Sequence, residues 1–224
     1  MKNKKKELIS FLSNMISENR RDKFDAVANY RTRHITVVLE DIYQPHNASA
    51  VLRSCDIFGV QDIHIIENRN TYTVNPDVAL GSAKWLSLHK YKKNDNNSLA
   101  CLNDLKEKGY KIVATSPYEK YPTLDELVIE QPIALVFGTE LTGISDTIIN
   151  NADEFVRIPM YGFTESFNIS VSAALCLHTL VNKLHKSSIN WKLTDDEKDE
   201  ILLQWLKNSI KKSDIIEKEF LSKY

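Results

Sequence analysis

An α/β fold on a largely parallel, Rossmann-like sheet is what this sequence predicts, and three observations predict it. Short apolar, β-branched runs at 34–40, 62–67 and 111–116 alternate with segments of helical period, the pattern of strands joined by crossover helices. The run 132–138 (PIALVFG) carries no polar side chain, as suits a central strand covered on both faces. Polar and glycine-containing loops follow the strands at the edge where open α/β sheets bind ligands. With 224 residues and 42% apolar composition, the chain supports one sizeable core with helical appendages at both ends.

The elements follow in order. Leu8, Ile9, Phe11, Leu12 and Ile16 recur near helical spacing, so 1–30 reads as a basic helical arm. Lys2, Lys4, Lys5, Lys6, Arg20, Arg21, Lys23, Arg31 and Arg33 outnumber the acids Glu7, Glu18, Asp22 and Asp25 in that region. Phosphate contact is one reading of this excess, and a solvated helix face is the simpler one. The body spans 31–187. Its first strand, 34–40, leads through a loop carrying Pro45 into a helix capped by Asn47 and stopped by Gly59. Strand 62–67 precedes a loop at 68–83 with room for a short helix, and 85–91 reads as a further strand. Helix 98–108 ends at Gly109, and strand 111–116 ends before Pro117. After strand 132–138, Ser145 caps a short helix at 146–151. Strand 154–159 and a long helix at 168–186 complete the body. The segment 188–224 is a C-terminal helical extension. Thr194 and Glu197 form a capping box there, and Ile201, Leu202, Trp205 and Leu206 give an apolar face.

Several function classes lose ground. The formal net charge of −1 does not mark a nucleic-acid binder. Cys55, Cys101 and Cys176 are odd in number and far apart, with no zinc spacing, so a reduced cytoplasmic compartment and no metal are expected. The apolar runs are too short to cross a membrane, and the N-terminus lacks the features of a signal peptide. No GxSxG, HExxH, GxGxxG or P-loop pattern occurs.

Two loops and one helix carry the candidate chemistry. In GTELTG (138–143), Gly138 and Gly143 bring backbone groups close to a ligand, although a tight turn explains them equally well. Glu140 offers an acceptor to a ligand or to nearby N–H groups. In IPMYGFTESFN (158–168), Ser166 and Asn168 both suit a helix N-cap, and the density of Pro, Gly, Ser and Asn suggests a shaped cavity. Asn47 reads first as a cap and Arg53 as a solvated helix residue. Functionally, both could stand on the rim of these loops, where Arg53 could hold a phosphate or an oxyanion. His46 offers a titrating group.

Three clusters resemble the TrmH (SpoU) family of the SPOUT methyltransferases. They are Asn47-Ala-Ser-Ala-Val-Leu-Arg53 with Gly59, then Val136-Phe-Gly138-Thr-Glu140-Leu-Thr-Gly143, then Ile158-Pro-Met-Tyr-Gly162 with Ser166-Phe-Asn168-Ile-Ser170. Their order holds across 34–186, and the PHN before the first motif looks closest to the tRNA guanosine 2′-O-methyltransferases. The resemblance implies a C-terminal trefoil knot and a homodimer with its active site near the subunit interface. It implies S-adenosylmethionine as methyl donor and a ribose 2′-hydroxyl of tRNA, at a D-loop guanosine, as acceptor. Ribosomal RNA and a non-catalytic RNA-binding role are the alternatives; neither DNA nor a membrane is expected as partner. The implied cofactor loops are 114–118, 138–143 and 158–167, with Thr115, Gly138, Ile158, Met160 and Phe167 as cofactor residues. The implied catalytic set is Arg53, Asn47, Glu140, Ser166 and Asn168. Relatives often carry leucine where this chain has Phe167. The family gives Arg53 the part of base. A guanidinium scarcely deprotonates in proteins, so stabilising an emerging alkoxide is the better physical role.

Overall fold

Six strands form the sheet of the computed structural model, all paired in parallel. The structure describes residues 2–73, 81–139 and 142–222. In chain order these hold α1 (Lys2–Ser13), α2 (Glu18–Ala28), β1 (Ile35–Glu40), α3 (Pro45–Ile57), β2 (Asp62–Ile66), a 3-10 turn (Ser82–Lys84) and β3 (Ser87–Tyr91). There follow α4 (Asn97–Glu107), β4 (Lys111–Thr115), β5 (Ile133–Phe137), α5 (Asp146–Asn151), β6 (Glu154–Val156), α6 (Ile169–His185), α7 (Asp195–Ser209) and α8 (Ser213–Ser222). The strand order is β3-β2-β1-β5-β4-β6.

Alternation along the two central strands builds two cores. Ile35, Val37 and Leu39 of β1, with Ile133, Leu135 and Phe137 of β5, pack with Val51, Leu52 and Cys55 of α3 and Leu177 and Leu180 of α6. Val38, Ala134 and Val136 face Cys101, Leu102 and Leu105 of α4 and Ile148 of α5. Burying one such Leu, Ile or Phe contributes about 1.5–3 kcal/mol, so these strands hold the sheet. The covering helices also set up the site. β1 leads into α3 on one face, while its neighbour β5 leads into α5 on the other. The chain thus departs in opposite directions from adjacent parallel strands, which opens a crevice at their carboxyl ends.

The chain divides into two compact units, Thr32–Trp191 and Met1–Arg31 with Lys192–Tyr224. The second unit joins both terminal segments. Phe24 meets Trp205 edge to face at 5.5 Å, and Phe11 lies 5.0 Å from Phe220. Arg31 is buried with its guanidinium 5.3 Å from the Trp205 ring. Within the unit, Lys5 reaches the Asp196 carbonyl oxygen and Glu200, and Arg21 donates to the Ser13 carbonyl. In the first unit, Arg33 is bonded to Asp62. Several cations of the expected basic arm are therefore held inside the structure, leaving Lys6, Arg20 and Lys23 among those exposed.

Local differences from the expected elements have identifiable causes. The helix expected from Asn47 begins at Pro45, whose fixed φ suits the first helical position. Its N-cap is Gln44, and Asn47 is free of the capping role. The arm is two helices, broken between Ser13 and Glu18, and the C-terminal extension gains α8 after Lys212, which turns at φ 60°. The strand expected at 85–91 starts at Ser87 because the 3-10 turn runs into Trp85, and β6 ends at Val156, short of Pro159. The short helix expected within 68–83 falls partly on 74–80, outside the described residues. The Thr194–Glu197 capping box is present, and Ser145 and Asn168 cap their helices as expected.

A polar seam between β2, β3 and α4 gives the protein a pH-dependent stability. Asp62 accepts from Arg33 Nε at 2.9 Å and pairs with His89 Nε2 at 3.2 Å. His64 stacks on His89 with ring centroids 4.6 Å apart. The Tyr91 hydroxyl donates to Asp104 at 2.5 Å, so its oxygen is left to accept from His64 Nδ1 at 3.1 Å. Burial, then the neighbouring His89 charge, lowers the His64 pKa from 6.5 to about 4. Between those values the unfolded chain binds the proton and the folded chain does not. Stability therefore falls as the pH drops from about 6.5 to about 4, by up to about 3 kcal/mol from this residue. Burial lowers His34 and His185 as well, so they act in the same direction. Urea unfolding at pH 7, 5.5 and 4 measures the slope, and His64→Leu should flatten it. An unchanged slope in that variant would remove His64 as its main source.

Candidate active site

The site lies at the carboxyl edge of the sheet, where three loops and the starts of α3 and α6 meet. Pro45 fixes the entry of α3 and turns Asn47 inward, where it is 4% exposed. Its side-chain amide donates to Gln44 Oε1 at 3.1 Å, and its oxygen accepts from Asn168 Nδ2 at 3.2 Å. Asn168 is the N-cap of α6: its oxygen accepts from the Ser170 N–H at 2.9 Å and the Ser170 hydroxyl at 2.6 Å. One side chain thus caps a helix and ties it to a residue 121 positions away. The structure joins two of the expected catalytic residues in this way.

The others stand differently. Arg53 is exposed on α3 and makes no hydrogen bond or ion pair with any described residue. It is not hydrogen-bonded to the Asn47–Asn168 pair. Ser166 is exposed in the loop before α6 and does not cap that helix. Glu140 lies outside the described residues.

The two ends of the glycine loop are tied together. Thr139 and Gly143 exchange backbone hydrogen bonds at 2.9 and 3.0 Å. Thr142 donates its N–H to Thr139 Oγ1 at 3.0 Å, and the two hydroxyls lie 2.7 Å apart. A Cβ on Gly138 would fall 2.2 Å from the Gly143 oxygen, so only glycine fits there. Gly143 supplies the φ of +69° that the turn needs. Loop closure alone accounts for both glycines.

The flanking loops complete the edge. Thr115 donates its hydroxyl to the Val136 carbonyl at 3.0 Å, and Ser116 donates its N–H to Val156 at 3.0 Å. The Thr115 hydroxyl is therefore spent on the sheet. Ile158 and Met160 are half-buried, Phe167 is 42% exposed, and Tyr161 and Phe163 are fully exposed. No Lys or Arg occurs in 114–118, 138–143 or 158–167. Backbone edges with apolar side chains and no cation suit a neutral base and a cationic sulfonium better than a pyrophosphate.

Two acids that the sequence did not single out shape this edge. Glu40, 2% exposed at the end of β1, accepts from the Ser98 hydroxyl at 2.5 Å and from the Ser145 N–H and hydroxyl at 2.9 and 2.7 Å. It pins the chain as it leaves the glycine loop. Asp41, at φ 51°, accepts N–H bonds from Asn68, Arg69 and Asn70 at 2.7, 2.8 and 3.3 Å. The available signal was a pair of acids closing an otherwise apolar strand. Among the described residues, no His, Cys, Asp and Glu group could hold a metal ion, and no helix is long and apolar enough to cross a membrane.

Comparison with known proteins places this geometry. The chain is 44% identical over 209 residues to a tRNA (guanosine(18)-2′-O)-methyltransferase of Borreliella burgdorferi, covering 93% of this chain and 94% of that one. It is 31% identical to the enzyme of that name from Thermus thermophilus, over 85% of this chain and 97% of that one. The crystal structure of an A. aeolicus TrmH/SpoU tRNA-modifying enzyme superposes with a TM-score of 0.77 at 29% identity, covering 87% of this chain and 98% of that one. The model of the SpoU rRNA methylase family matches residues 34–178, which include both members of the Asn47–Asn168 pair and the glycine loop between them, and the chain belongs to that family.

Proposed function

We infer that this protein is a tRNA guanosine 2′-O-methyltransferase that uses S-adenosylmethionine in the cytoplasm. The observation that carries the reading is the Asn47–Asn168 hydrogen bond, which unites the first and last motifs at the ligand-binding edge of the sheet. The names of the two relatives, similar over nearly their whole length, support tRNA as the acceptor.

S-adenosylmethionine, when bound, supplies a methyl group already activated for displacement. The protein's task is then to align a ribose oxygen with that methyl and to stabilise its charge. The backbones of Thr115, Gly138 and Ile158, with the apolar side chains of Met160 and Phe167, would hold the donor. Asn47 and Asn168, locked together, fix the ribose; Ser166 and Glu140 complete the set that the family resemblance implies. Arg53 stabilises the negative charge that develops on the 2′-oxygen as its proton passes to solvent water.

Arg53 does this from a second subunit. It shares the outer face of α3 with Ile57, which is 68% exposed, and on α6 Val171 and Leu175 are 44% and 39% exposed one turn apart. Such a face supports a homodimer with its sites at the interface. The trefoil knot of the family belongs to the same proposal.

Methyl transfer from labelled donor to transfer RNA and ribosomal RNA, followed by mapping of the modified ribose, tests the reading. The expected product is one 2′-O-methylguanosine in the D-loop of tRNA. Label on ribosomal RNA alone would move the assignment to the other substrate, and no transfer to either would overturn it.

A further inference from the structure

Beside the glycine loop, at the switch point between β1 and β5, lies an open cavity of about 820 Å³. It is separate from the loops after β4 and β6 assigned to the donor. Gln44 lines it and also accepts from Asn47, so it opens directly beside the pair assigned to the acceptor ribose. Thr139, Thr142 and Gly143 of the glycine loop line it as well. A ribose held at that pair must direct its base somewhere, and this crevice adjoins it.

The lining selects the base. Arg69, Asp95 and Asp146 all line the cavity, are exposed, and have no hydrogen-bond or ion-pair partner among the described residues for their charged ends. The backbone at Arg69 is anchored beside the cavity because Asp41 takes its N–H at 2.8 Å. Asp95 and Asp146 stand on two segments clipped together by Asn96 Nδ2 donating to Thr147 Oγ1 at 3.3 Å. Tyr43, 75% exposed at the same cavity, offers a stacking face. Carboxylates repel phosphate, so the backbone of an RNA is not what enters. A guanine edge fits: N1–H and N2–H are donors for a carboxylate, and O6 and N7 are acceptors for an arginine. Adenine would set its N1 lone pair against the carboxylates.

We propose that this crevice is the guanine-reading pocket of the enzyme, with Asp95 and Asp146 accepting from the Watson–Crick edge and Arg69 donating to O6 and N7. The proposal rests on the reading of the chain as a guanosine methyltransferase and adds the residues that choose the base.

The test uses tRNA transcripts with guanosine, inosine or adenosine at the methylated position, the full-length protein, and its Asp95→Ala, Asp146→Ala and doubly substituted variants. Inosine lacks only the 2-amino group. Losing that one charge-assisted hydrogen bond should cost the wild type about 10- to 100-fold in transfer rate per bound transcript. The double variant should narrow the guanosine-to-inosine ratio to about threefold or less, while S-adenosylmethionine binding by calorimetry stays unchanged. Arg69→Ala should slow both substrates equally, since inosine keeps O6 and N7. A wild type that treats guanosine and inosine alike overturns the pocket without recourse to any variant. So does an unchanged ratio in the double variant, including a uniform loss on both substrates. In those cases guanosine is still methylated and only the pocket falls. A wild type that methylates no RNA overturns the functional reading and the pocket with it.

Discussion

Truncating Arg53 to alanine should lower methyl transfer by about 100- to 1,000-fold, the loss seen when one preorganised donor to a developing oxyanion is removed. Binding of S-adenosylmethionine and the unfolding midpoint should stay where they are. The separation follows from the position of the side chain. Arg53 is exposed and has no described partner, so its removal leaves no buried group unsatisfied. Arg53→Lys should recover little, because a point charge does not reproduce the guanidinium fork. The side chain makes no hydrogen bond to the Asn47–Asn168 pair in its own protomer, which makes the subunit of origin testable. Arg53→Ala and Asn168→Ala are each expected to be inactive. In the homodimer proposed above, co-expression makes half of the dimers mixed, and each mixed dimer keeps one complete site if arginine acts across the interface. About a quarter of wild-type activity should then return. If arginine acts within its own subunit, none returns. Full activity in Arg53→Ala alone would end the role altogether.

The sheet was legible because its signal is local. β5 is an unbroken apolar run and β1 is broken only by Thr36 before Glu40, and burial on both faces leaves such strands no alternation of polarity to read. The capping box at Thr194 and the cap at Ser145 were legible because each is complete within four residues. Misreadings arose where two local signals competed or where the decisive contact was distant. Asn47 resembles a cap, but Pro45 two residues earlier fixes the start of α3, and the freed amide goes to Asn168 instead. No periodicity reveals a bond across 121 positions. Arg31 reads as one more cation of a basic arm, whereas Trp205, far along the chain, covers it. Charge is visible in a sequence and burial is not.

The candidate site divides in the same way. The turns of the candidate loops were legible, since glycine, proline and asparagine report backbone shape; the residues assigned to the donor followed from the family resemblance and not from those turns. The acids Glu40 and Asp41 were passed over because a carboxylate at the end of a strand looks like ordinary surface. Only the fold shows Glu40 taking three hydrogen bonds from Ser98 and Ser145, and Asp41 taking three from the turn at 68–70. Those bonds hold the two walls of the crevice in which the acceptor base is placed.

Gly138→Ala should be the most damaging small substitution in this region. The added Cβ would stand 2.2 Å from the Gly143 oxygen and 2.4 Å from the Ile144 nitrogen, both backbone atoms. No side-chain rotation relieves that overlap. The loop must open, and the Thr139–Gly143 hydrogen bonds and the Thr139–Thr142 contact are lost with it. A cost of about 3 kcal/mol follows, or a melting temperature lower by about 6–12 °C for a chain of this size. Donor binding measured by calorimetry should weaken in parallel, because the same loop is one of those assigned to S-adenosylmethionine. Gly143→Ala is the control. It meets nothing within 4 Å and suffers only from its φ of +69°, so it should cost about 1 kcal/mol. A Gly138→Ala protein as stable as Gly143→Ala would mean that the loop yields easily, and that closure at Gly138 does not organise the donor site.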